Sequence, residues 1–296
     1  METHREHFRR LGKGIVLILI AWFLFSLVFF IAKITSDEAS IPQIIFFRNI
    51  FAFLFCIPWM IKDFPNGLKT SRFGLVFARS ISGLLGMAFI FLALTKISLV
   101  DATLLNNTSP LIIPFVIAIY LKKPIQHKLW PALIIGFVGI ILILKPSGKN
   151  FFDWGNLYAL LSAVMISIST LLVRLARTEP FHTVLFYYFF IGLVCTLPFS
   201  LYYWNPLSLQ TYLLLFILSI FSFFGQLAFF KAFHYGKAAH LSSFSYSAVV
   251  FAAILEWLFW HQVPDFLATL GIICVCIGGI FVTLWSKPSE SLPSPK

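Results

Sequence analysis

The chain has 296 residues, of which 59% are hydrophobic and only 11% are charged, and its mean hydropathy is +0.92. This composition leaves too little polar surface to cover a water-soluble globule, so it excludes a soluble protein and indicates a membrane protein. The formal net charge of +11 would suit a nucleic-acid partner, but the basic residues fall mainly in alternate connections between apolar runs. We therefore expect a lipid bilayer around the chain and no nucleic-acid binding.

Ten apolar runs are each long enough to cross the hydrocarbon layer as a helix, which takes roughly 17 to 25 residues. The predicted spans, in chain order, lie near residues 14–34, 42–61, 73–95, 100–121, 129–145, 155–174, 181–203, 211–233, 239–260 and 265–285. The fold class predicted from them is an all-α polytopic membrane protein with ten transmembrane helices. Because the connections are short, any chemistry must be carried by residues on the helices.

The distribution of basic residues predicts the orientation of these helices. With the N-terminus inside, sixteen Lys and Arg residues lie in inner segments and four in outer segments, as the positive-inside rule requires. Both termini are therefore predicted to be cytoplasmic. The first run follows Arg9, Arg10 and Lys13 but is too long for the core of a signal peptide. We expect it to be retained as the first helix.

The second half of the chain repeats the pattern of the first half. The first and sixth runs align at an offset of 141, the second and seventh at 140, and the remaining three pairs at 139. This predicts two five-helix repeats, residues 1–150 and 151–296. Five is an odd number, so the second repeat enters the bilayer from the opposite side and the repeats are inverted. Inverted repeats around a midplane site are typical of alternating-access transporters.

A further set of residues forms a recognisable layout along the chain: Trp22, Lys33, Pro42, Arg48, Arg79, the segment ALTKISLVDATLLNNTSP and the segment from Tyr246 to Pro264. This layout resembles the EamA-type drug/metabolite transporter superfamily, and the resemblance covers essentially the whole chain. It implies two inverted EamA repeats, a bacterial inner-membrane location and a central substrate cavity. Many members carry Gly-Glu at the end of each fourth-type helix, where this chain has Lys122-Lys123 and His261-Gln262. No function of that glutamate is therefore carried over.

Charged residues inside apolar runs are the sharpest indication of a site, because each costs roughly 2.5–3.5 kcal/mol on insertion scales unless it is paired or hydrated. Arg48 is predicted to pair with a helix end or to face the cavity. Arg79 lies beside small residues and is predicted to serve the cavity, a gate or a structural ion pair. Lys33 lies nearer a helix end and is expected to extend to the outer interface.

Glu256 lies well inside the ninth run, where a carboxylate needs a specific partner. Its repeat mate is Ile117, so this carboxylate is not part of the shared scaffold. Three roles follow from its chemistry. It could bind a cationic group of the solute, carry a proton during the cycle, or form a structural pair with a basic residue such as Lys33.

Uncharged polar residues cluster in the fourth run, where Pro110 and Pro114 leave backbone carbonyls without helical donors. We expect this region to line the cavity together with the hydroxyl residues of the ninth run. Aromatic residues on first-type and second-type helices are candidates for stacking on a ligand. The complete predicted substrate-binding set is Trp22, Arg48, Arg79, Asn106, Asn107, Ser109, Tyr188, Gln226, Tyr246 and Glu256.

Enzyme chemistry has no support in the sequence. It contains no nucleophile–base pair, phosphate-binding glycine loop or metal cluster at useful spacing, and Cys274 and Cys276 would point to nearly opposite faces of a helix. We therefore expect no catalytic residue, metal or cofactor. The resulting hypothesis is a secondary transporter of a small amphipathic metabolite.

The substrate is predicted more loosely than the class of protein. The segment from Arg79 to Pro114 looks most like the branch that includes S-adenosylmethionine carriers. The first candidate is therefore S-adenosylmethionine or a related amino-acid or nucleoside metabolite. An exporter of amino acids or drugs with the same fold, an intramembrane enzyme and a structural scaffold are the alternatives. Direction, proton coupling and oligomeric state are left open by the sequence.

Overall fold

The computed structural model describes residues 4–62, 68–122, 125–144, 153–176, 179–235, 243–262 and 265–285. Regular structure in these ranges is entirely helical, which confirms the predicted all-α class. The helices are α1 (His4–Thr35), α2 (Ile41–Lys62), α3 (Phe73–Leu94), α4 (Leu99–Asn106), α5 (Ser109–Leu121), α6 (Trp130–Leu144), α7 (Trp154–Leu175), α8 (Phe181–Tyr202), α9 (Leu209–Tyr235), α10 (Ser247–Trp260) and α11 (Phe266–Trp285). Short 3₁₀ turns at His127–Leu129 and Ser243–Tyr246 precede α6 and α10.

Seven segments of the described chain are long and apolar enough to cross a membrane: Gly12–Thr35, Ile41–Lys62, Phe73–Leu94, Leu99–Tyr120, Trp154–Val173, Phe181–Tyr202 and Leu209–Ala232. Three of the predicted spans are shorter apolar helices, His127–Leu142, Phe244–Trp260 and Phe266–Val282. The protein is therefore a multi-pass membrane protein. The exact number of ten crossings stays a prediction.

The fourth predicted span is two helices rather than one. Helix α4 ends at Asn106 and α5 begins at Ser109, because Pro110 has no backbone N–H to donate to the turn before it. Side chains satisfy part of the interrupted backbone: the Asn107 amide donates to the Thr103 carbonyl at 2.8 Å, and the Thr108 hydroxyl to the Leu105 carbonyl at 2.7 Å. The polar residues and prolines predicted to lie together in the fourth run therefore flank this break, which the prediction of a single span did not include.

The two halves pack as a two-fold repeat requires. Helix α1 packs against α9, and α3 packs against α7. Because α1 corresponds to α7 and α3 corresponds to α9 in the repeat, these two contacts are equivalent. Two hydroxyls show the same relation: Ser26 donates to the Ala248 carbonyl and Ser167 to the Ser109 carbonyl, both at 3.1 Å. These residues are related by the offsets of 141 and 139. Two bundles result, named here the α1 bundle (α1, α9 and α10) and the α3 bundle (α3, α4, α5 and α7).

Helices α6 and α11 cross at glycines on the two-fold axis. A Cβ added at Gly278 would lie 2.7 Å from the Ala132 carbonyl oxygen and 2.7 Å from the Gly136 nitrogen. A Cβ added at Gly139 would lie 2.7 Å from the Val275 nitrogen. Backbone atoms cannot rotate away, so only glycine permits this approach.

We expect Gly278→Ala to lower the free energy of unfolding by about 1–3 kcal/mol, because the helices must separate to admit the methyl group. Thermal unfolding of the detergent-purified protein measures this. The matched control is Gly74→Ala, since a Cβ at Gly74 meets nothing within 4 Å. Equal unfolding temperatures for the two variants would contradict the close crossing.

Two glutamates outside the predicted spans fasten the connections between helices. Glu38 accepts hydrogen bonds from Ser208 and Thr211 at the start of α9, and these bonds hold the pKa of its carboxyl below the ordinary value. Glu179, its repeat mate at an offset of 141, accepts from the Ser71 hydroxyl before α3. Its partial burial alone would raise its pKa, but hydrogen bonds and the charge of Arg72 lower it overall.

Candidate substrate site

A fully buried arginine forms the centre of the site. Arg48 of α2 is 0% exposed and donates from Nε to the Ser222 hydroxyl at 2.7 Å, from Nη1 to Asn49 Oδ1 at 3.1 Å and from Nη2 to the Tyr188 hydroxyl at 3.2 Å. All three guanidinium nitrogens therefore have a protein partner. The charge is held by neutral oxygens and by the Tyr188 and Phe189 rings, whose centres lie 5.4 and 5.6 Å from the guanidinium carbon. The hydrogen bonds connect side chains of three helices.

A second buried arginine lies on the other side of the same tyrosine. The guanidinium carbon of Arg79 lies 4.1 Å from the centre of the Tyr188 ring and 5.7 Å from that of Phe230. Arg79 is 5% exposed, and its Nε and Nη1 have no hydrogen-bond partner among the described residues. The Tyr188 ring thus contacts one guanidinium through its face, while its hydroxyl accepts from the other. We call Arg48, Arg79, Tyr188 and Ser222 the arginine cluster.

The cluster lies on the two-fold axis. Arg48 and Tyr188 are repeat mates at an offset of 140, and they contact each other. Ser222 touches Arg48, while its own mate at an offset of 139, Gly83, touches Tyr188, with an added Cβ only 3.0 Å from the ring. A side chain at Gly83 would crowd the Tyr188 ring, which lies where the serine side chain lies on the other side.

Both arginines are deep in the predicted hydrocarbon layer. Arg48 lies seven residues into α2 and Arg79 six residues into α3, or about 10 Å from the helix start at 1.5 Å per residue. The two helices start at opposite predicted ends of the bundle. A charge at this depth costs several kcal/mol unless polar groups or water surround it. Burial of the arginine cluster therefore carries a large unfavourable free energy.

The other predicted site residues occupy three surroundings. Gln226 is one helical turn from both Ser222 and Phe230, so it lies on the same side of α9 as these two residues, which contact Arg48 and Arg79 respectively. Asn106 faces α7, where the Ser162 hydroxyl lies 2.7 Å from Asn106 Oδ1 and 2.7 Å from the Gly86 carbonyl. Ser109 also meets α7, through its carbonyl and Ser167.

Three further predicted residues lie apart from the arginine cluster. Trp22 meets Phe25 and Phe229 edge to face, and its indole N–H is buried without a partner among the described residues. Tyr246 lies against the backbone of Gly279 on α11, and its buried hydroxyl likewise has no partner there. Asn107 bonds its own helix. The substrate-binding roles of all these residues stay predictions.

Glu256 and Lys33 meet at the turn between α3 and α4, at the predicted outer end. The Glu256 oxygens accept from the Leu99 and Val100 backbone N–H groups at 3.0 and 2.9 Å, which places a negative charge at the N-terminus of α4. Lys33 donates to the Leu94 and Ile97 carbonyls at 3.1 and 2.6 Å, which places a positive charge at the C-terminus of α3.

These two contacts form what we call the end clamp: Lys33 and Glu256 on the α1 bundle, and the α3–α4 turn on the α3 bundle. The two side chains are also close enough to interact electrostatically. Helix α10 packs against α4 in the same region. The geometry favours the structural alternative for Glu256, while its suggested binding of a cation or proton stays a prediction.

Sequence reasoning missed several residues that complete the site. Ser222 and Asn49 bind Arg48, Phe230 flanks Arg79, and Ser162 and Ser169 lie two turns apart on α7, with Ser169 donating to the Arg79 carbonyl at 3.3 Å. The detectable signal was the spacing of Ser222, Gln226 and Phe230 by four residues. A serine on an apolar helix is more often bonded to its own backbone, so the pattern alone did not distinguish Ser222.

A helical membrane protein built from two repeats, with buried charges on their common axis and short connections, has the architecture of a solute transporter. The EamA-like transporter family model matches the chain twice, over residues 12–145 and 153–284. The protein belongs to the EamA-like transporter family.

Relatives with functional names match nearly the whole chain. The pseudopaline exporter CntI of Pseudomonas aeruginosa is 28% identical over 94% of this chain and 98% of its own length. The S-adenosylmethionine uptake transporter of Rickettsia prowazekii is 27% identical, covering 92% and 94%. Human solute carrier family 35 member G1 is 28% identical, covering 94% and 81%. A solved crystal structure superposes with a TM-score of 0.66 at 17% identity, covering 95% of this chain and 99% of that one, which supports the fold alone.

Proposed function

We propose that the protein is a secondary transporter that moves a small amphipathic metabolite across the bacterial inner membrane by alternating access. In this proposal the chain crosses the membrane ten times, as two inverted repeats over residues 1–150 and 151–296, with both termini in the cytoplasm. The observation that supports it most is that helices of one repeat pack against helices of the other in equivalent pairs, around the buried arginine cluster. The family and the named relatives are transporters, which supports transport rather than catalysis.

The moving parts are the α1 bundle and the α3 bundle. Each contains helices from both repeats, so a rocking motion of one bundle against the other opens one end of the protein while it closes the opposite end. The arginine cluster and the polar break between α4 and α5 lie between the two ends. The solute binds in this central region and is exposed to each side in turn.

The end clamp closes the predicted outer end in the described conformation. Lys33 and Glu256 reach from one bundle to backbone groups of the other, where each satisfies the end of a helix and its dipole. Opening this end breaks four hydrogen bonds and admits water to replace them. The clamp therefore works as a reversible closure whose groups are hydrated in the alternate state.

The substrate proposed first is S-adenosylmethionine or a related amino-acid or nucleoside metabolite. Support comes from the relatives named for S-adenosylmethionine uptake and for pseudopaline export. One of those names states uptake and the other export, so direction does not follow from similarity. Aromatic side chains, amides and a few charges in one cavity suit an amphipathic solute.

Transport is tested with purified protein in liposomes loaded with unlabelled S-adenosylmethionine, to which labelled S-adenosylmethionine is added outside. We expect the label to accumulate by exchange and to be recovered chemically unchanged. A structural scaffold would leave the label outside, and an enzyme would alter it. If S-adenosylmethionine does not exchange, a panel of amino acids and nucleosides in cells lacking their own carriers identifies the solute. Failure of the whole panel would contradict the proposal.

The orientation is tested with reporter fusions. A fusion after Lys149 should report the outside, and one after Lys287 the cytoplasm, because an odd number of helices separates them and the basic residues favour the inside. The assay is alkaline phosphatase activity at the first site and fluorescence of a cytoplasmic reporter at the second. A cytoplasmic signal after Lys149 would refute the predicted topology.

A further inference from the structure

We propose that Arg79 binds the carboxylate of the transported solute, so that the substrate is a metabolite held at the arginine cluster through a carboxylate group. This inference rests on the proposed transport function and specifies the substrate class for that site. It depends on three observations: the open donors of Arg79, the occupied donors of Arg48, and the positions of the acidic residues.

The two arginines differ in their hydrogen bonding. Every guanidinium nitrogen of Arg48 has a protein partner, whereas Nε and Nη1 of Arg79 have none among the described residues. More than nine in ten buried polar groups in proteins are hydrogen-bonded. Two unsatisfied donors on one charged group therefore indicate a place for oxygens that the ligand supplies.

No described carboxylate is hydrogen-bonded to either arginine. Glu256, the acidic residue well inside a predicted span, already has both oxygens on backbone N–H groups. The other acidic side chains with a described environment lie at helix ends or in connections: Asp37, Glu38, Asp101, Asp153, Glu179 and Asp265. The arginine cluster thus carries two positive charges without a protein anion in the described part of the chain. A bound anion would lower the cost of burying them.

The geometry favours a carboxylate over a phosphate. The guanidinium carbon of Arg79 lies 4.1 Å from the centre of the Tyr188 ring, and this contact restricts the position of the charged group. The single charge of one guanidinium matches the single charge of a carboxylate, which would bind Arg79 along one edge, through Nη2 together with either Nε or Nη1. A phosphate dianion would bring a second charge and a third oxygen, while each guanidinium nitrogen of Arg48 is already hydrogen-bonded to a protein oxygen. The Tyr188 and Phe230 rings would flank the apolar part of the solute.

Direct binding tests this without knowledge of the natural substrate. Protein with ¹⁵N-labelled arginine is placed in nanodiscs, and the side-chain Nε–H signals are followed by NMR during titration with 3-phenylpropionate. The matched neutral probe is 3-phenylpropanamide, and phenylphosphonate is the phosphate-like probe. The Arg79 signal is assigned by its loss in Arg79→Lys, and the Arg48 signal serves as an internal reference. Lys96→Gln, at an exposed position at the end of α3, is the control variant.

We expect 3-phenylpropionate to shift the Arg79 signal saturably, with at least tenfold higher apparent affinity than the amide, in wild type and in Lys96→Gln. Equal shifts by acid and amide, no shift, or tighter binding of the phosphonate would each overturn the proposal. The exchange assay on the same preparation separates this from the proposed function. Exchange without carboxylate binding refutes only the site, whereas carboxylate binding without exchange by any solute refutes only transport.

Discussion

Arg79→Met is expected to reduce exchange in liposomes at least a hundredfold while leaving the protein as stable as wild type or more so. The positive charge of Arg79 is buried, and its Nε and Nη1 have no hydrogen-bond partner among the described residues. Its removal eliminates a desolvation cost that the contacts with the Tyr188 and Phe230 rings offset only in part. Methionine keeps a similar volume and an adaptable shape between Tyr188 and Phe230. A binding-site residue is expected to lower stability while being needed for activity.

The neighbouring arginine provides the contrast. Arg48→Met leaves Ser222, Asn49 and Tyr188 without their shared partner in a buried site. Unsatisfied buried polar groups cost about 1–3 kcal/mol each. We therefore expect an unfolding temperature well below that of wild type, together with a lower yield of monodisperse protein. Thermal unfolding and exchange are measured on both variants. Destabilisation by Arg79→Met, or normal stability of Arg48→Met, would contradict the different roles given to the two charges.

Glu256→Ala is expected to open the predicted outer end. In the closed conformation the Leu99 and Val100 N–H groups lose their acceptor, which costs about 1–3 kcal/mol each. In the open conformation water accepts their hydrogen bonds, so the variant favours the open conformation. A shift of about 2 kcal/mol changes the ratio of closed to open protein roughly thirtyfold. The measurement is the reaction of a cysteine at Val100, in a cysteine-free background, with an impermeant maleimide. Its rate should rise at least tenfold, and exchange should fall because closure at this end has become rare.

Two variants make this result specific to the end clamp. Glu38→Ala removes a carboxylate at the same predicted end, but Glu38 connects the end of α1 to the start of α9. Both helices belong to the α1 bundle, so this variant should leave the maleimide rate unchanged. Glu256→Gln keeps one acceptor and should give an intermediate rate. If Glu256 instead binds a cationic solute, Glu256→Gln would weaken counterflow of that solute at an unchanged maleimide rate. A proton-carrying role would leave exchange intact and abolish pH-driven accumulation.

Much of the fold could be predicted from the sequence because hydrophobic length and repeat offsets are local properties. The apolar runs predicted the helices, although the fourth run was predicted as one span and the break before Pro110 divides it into α4 and α5. The structural alternative for Glu256, a pair with Lys33, was also accessible, because both residues were predicted to lie near the same end. The prediction did not include the α3–α4 turn, because the backbone groups that Lys33 and Glu256 bind there carry no sequence signal.

The candidate site was predictable in part for a similar reason. Buried Arg48 and Arg79 stand out in any apolar helix, and Tyr188 was recognised as the repeat mate of Arg48. That these two mates touch could not be predicted, because an alignment of repeats relates residues without locating the axis between them. Only the packing of α2 against α8 puts the axis at this position, and Ser222 acquires its role from that placement.

The contact between residues 48 and 188 has a consequence for any protein made from two like halves. A residue on the axis meets its own counterpart, so identical halves would place arginine against arginine, with two positive charges in contact in a medium of low dielectric constant. Tyrosine at one of the two positions removes that repulsion and supplies an acceptor instead. The halves are therefore obliged to differ at the axis. Arg79 corresponds to Leu218 at the equivalent place in the second repeat, so the halves also differ beside the axis. Under the proposed alternating-access cycle, the two conformations are therefore expected to differ in energy, and these few positions contribute to the difference.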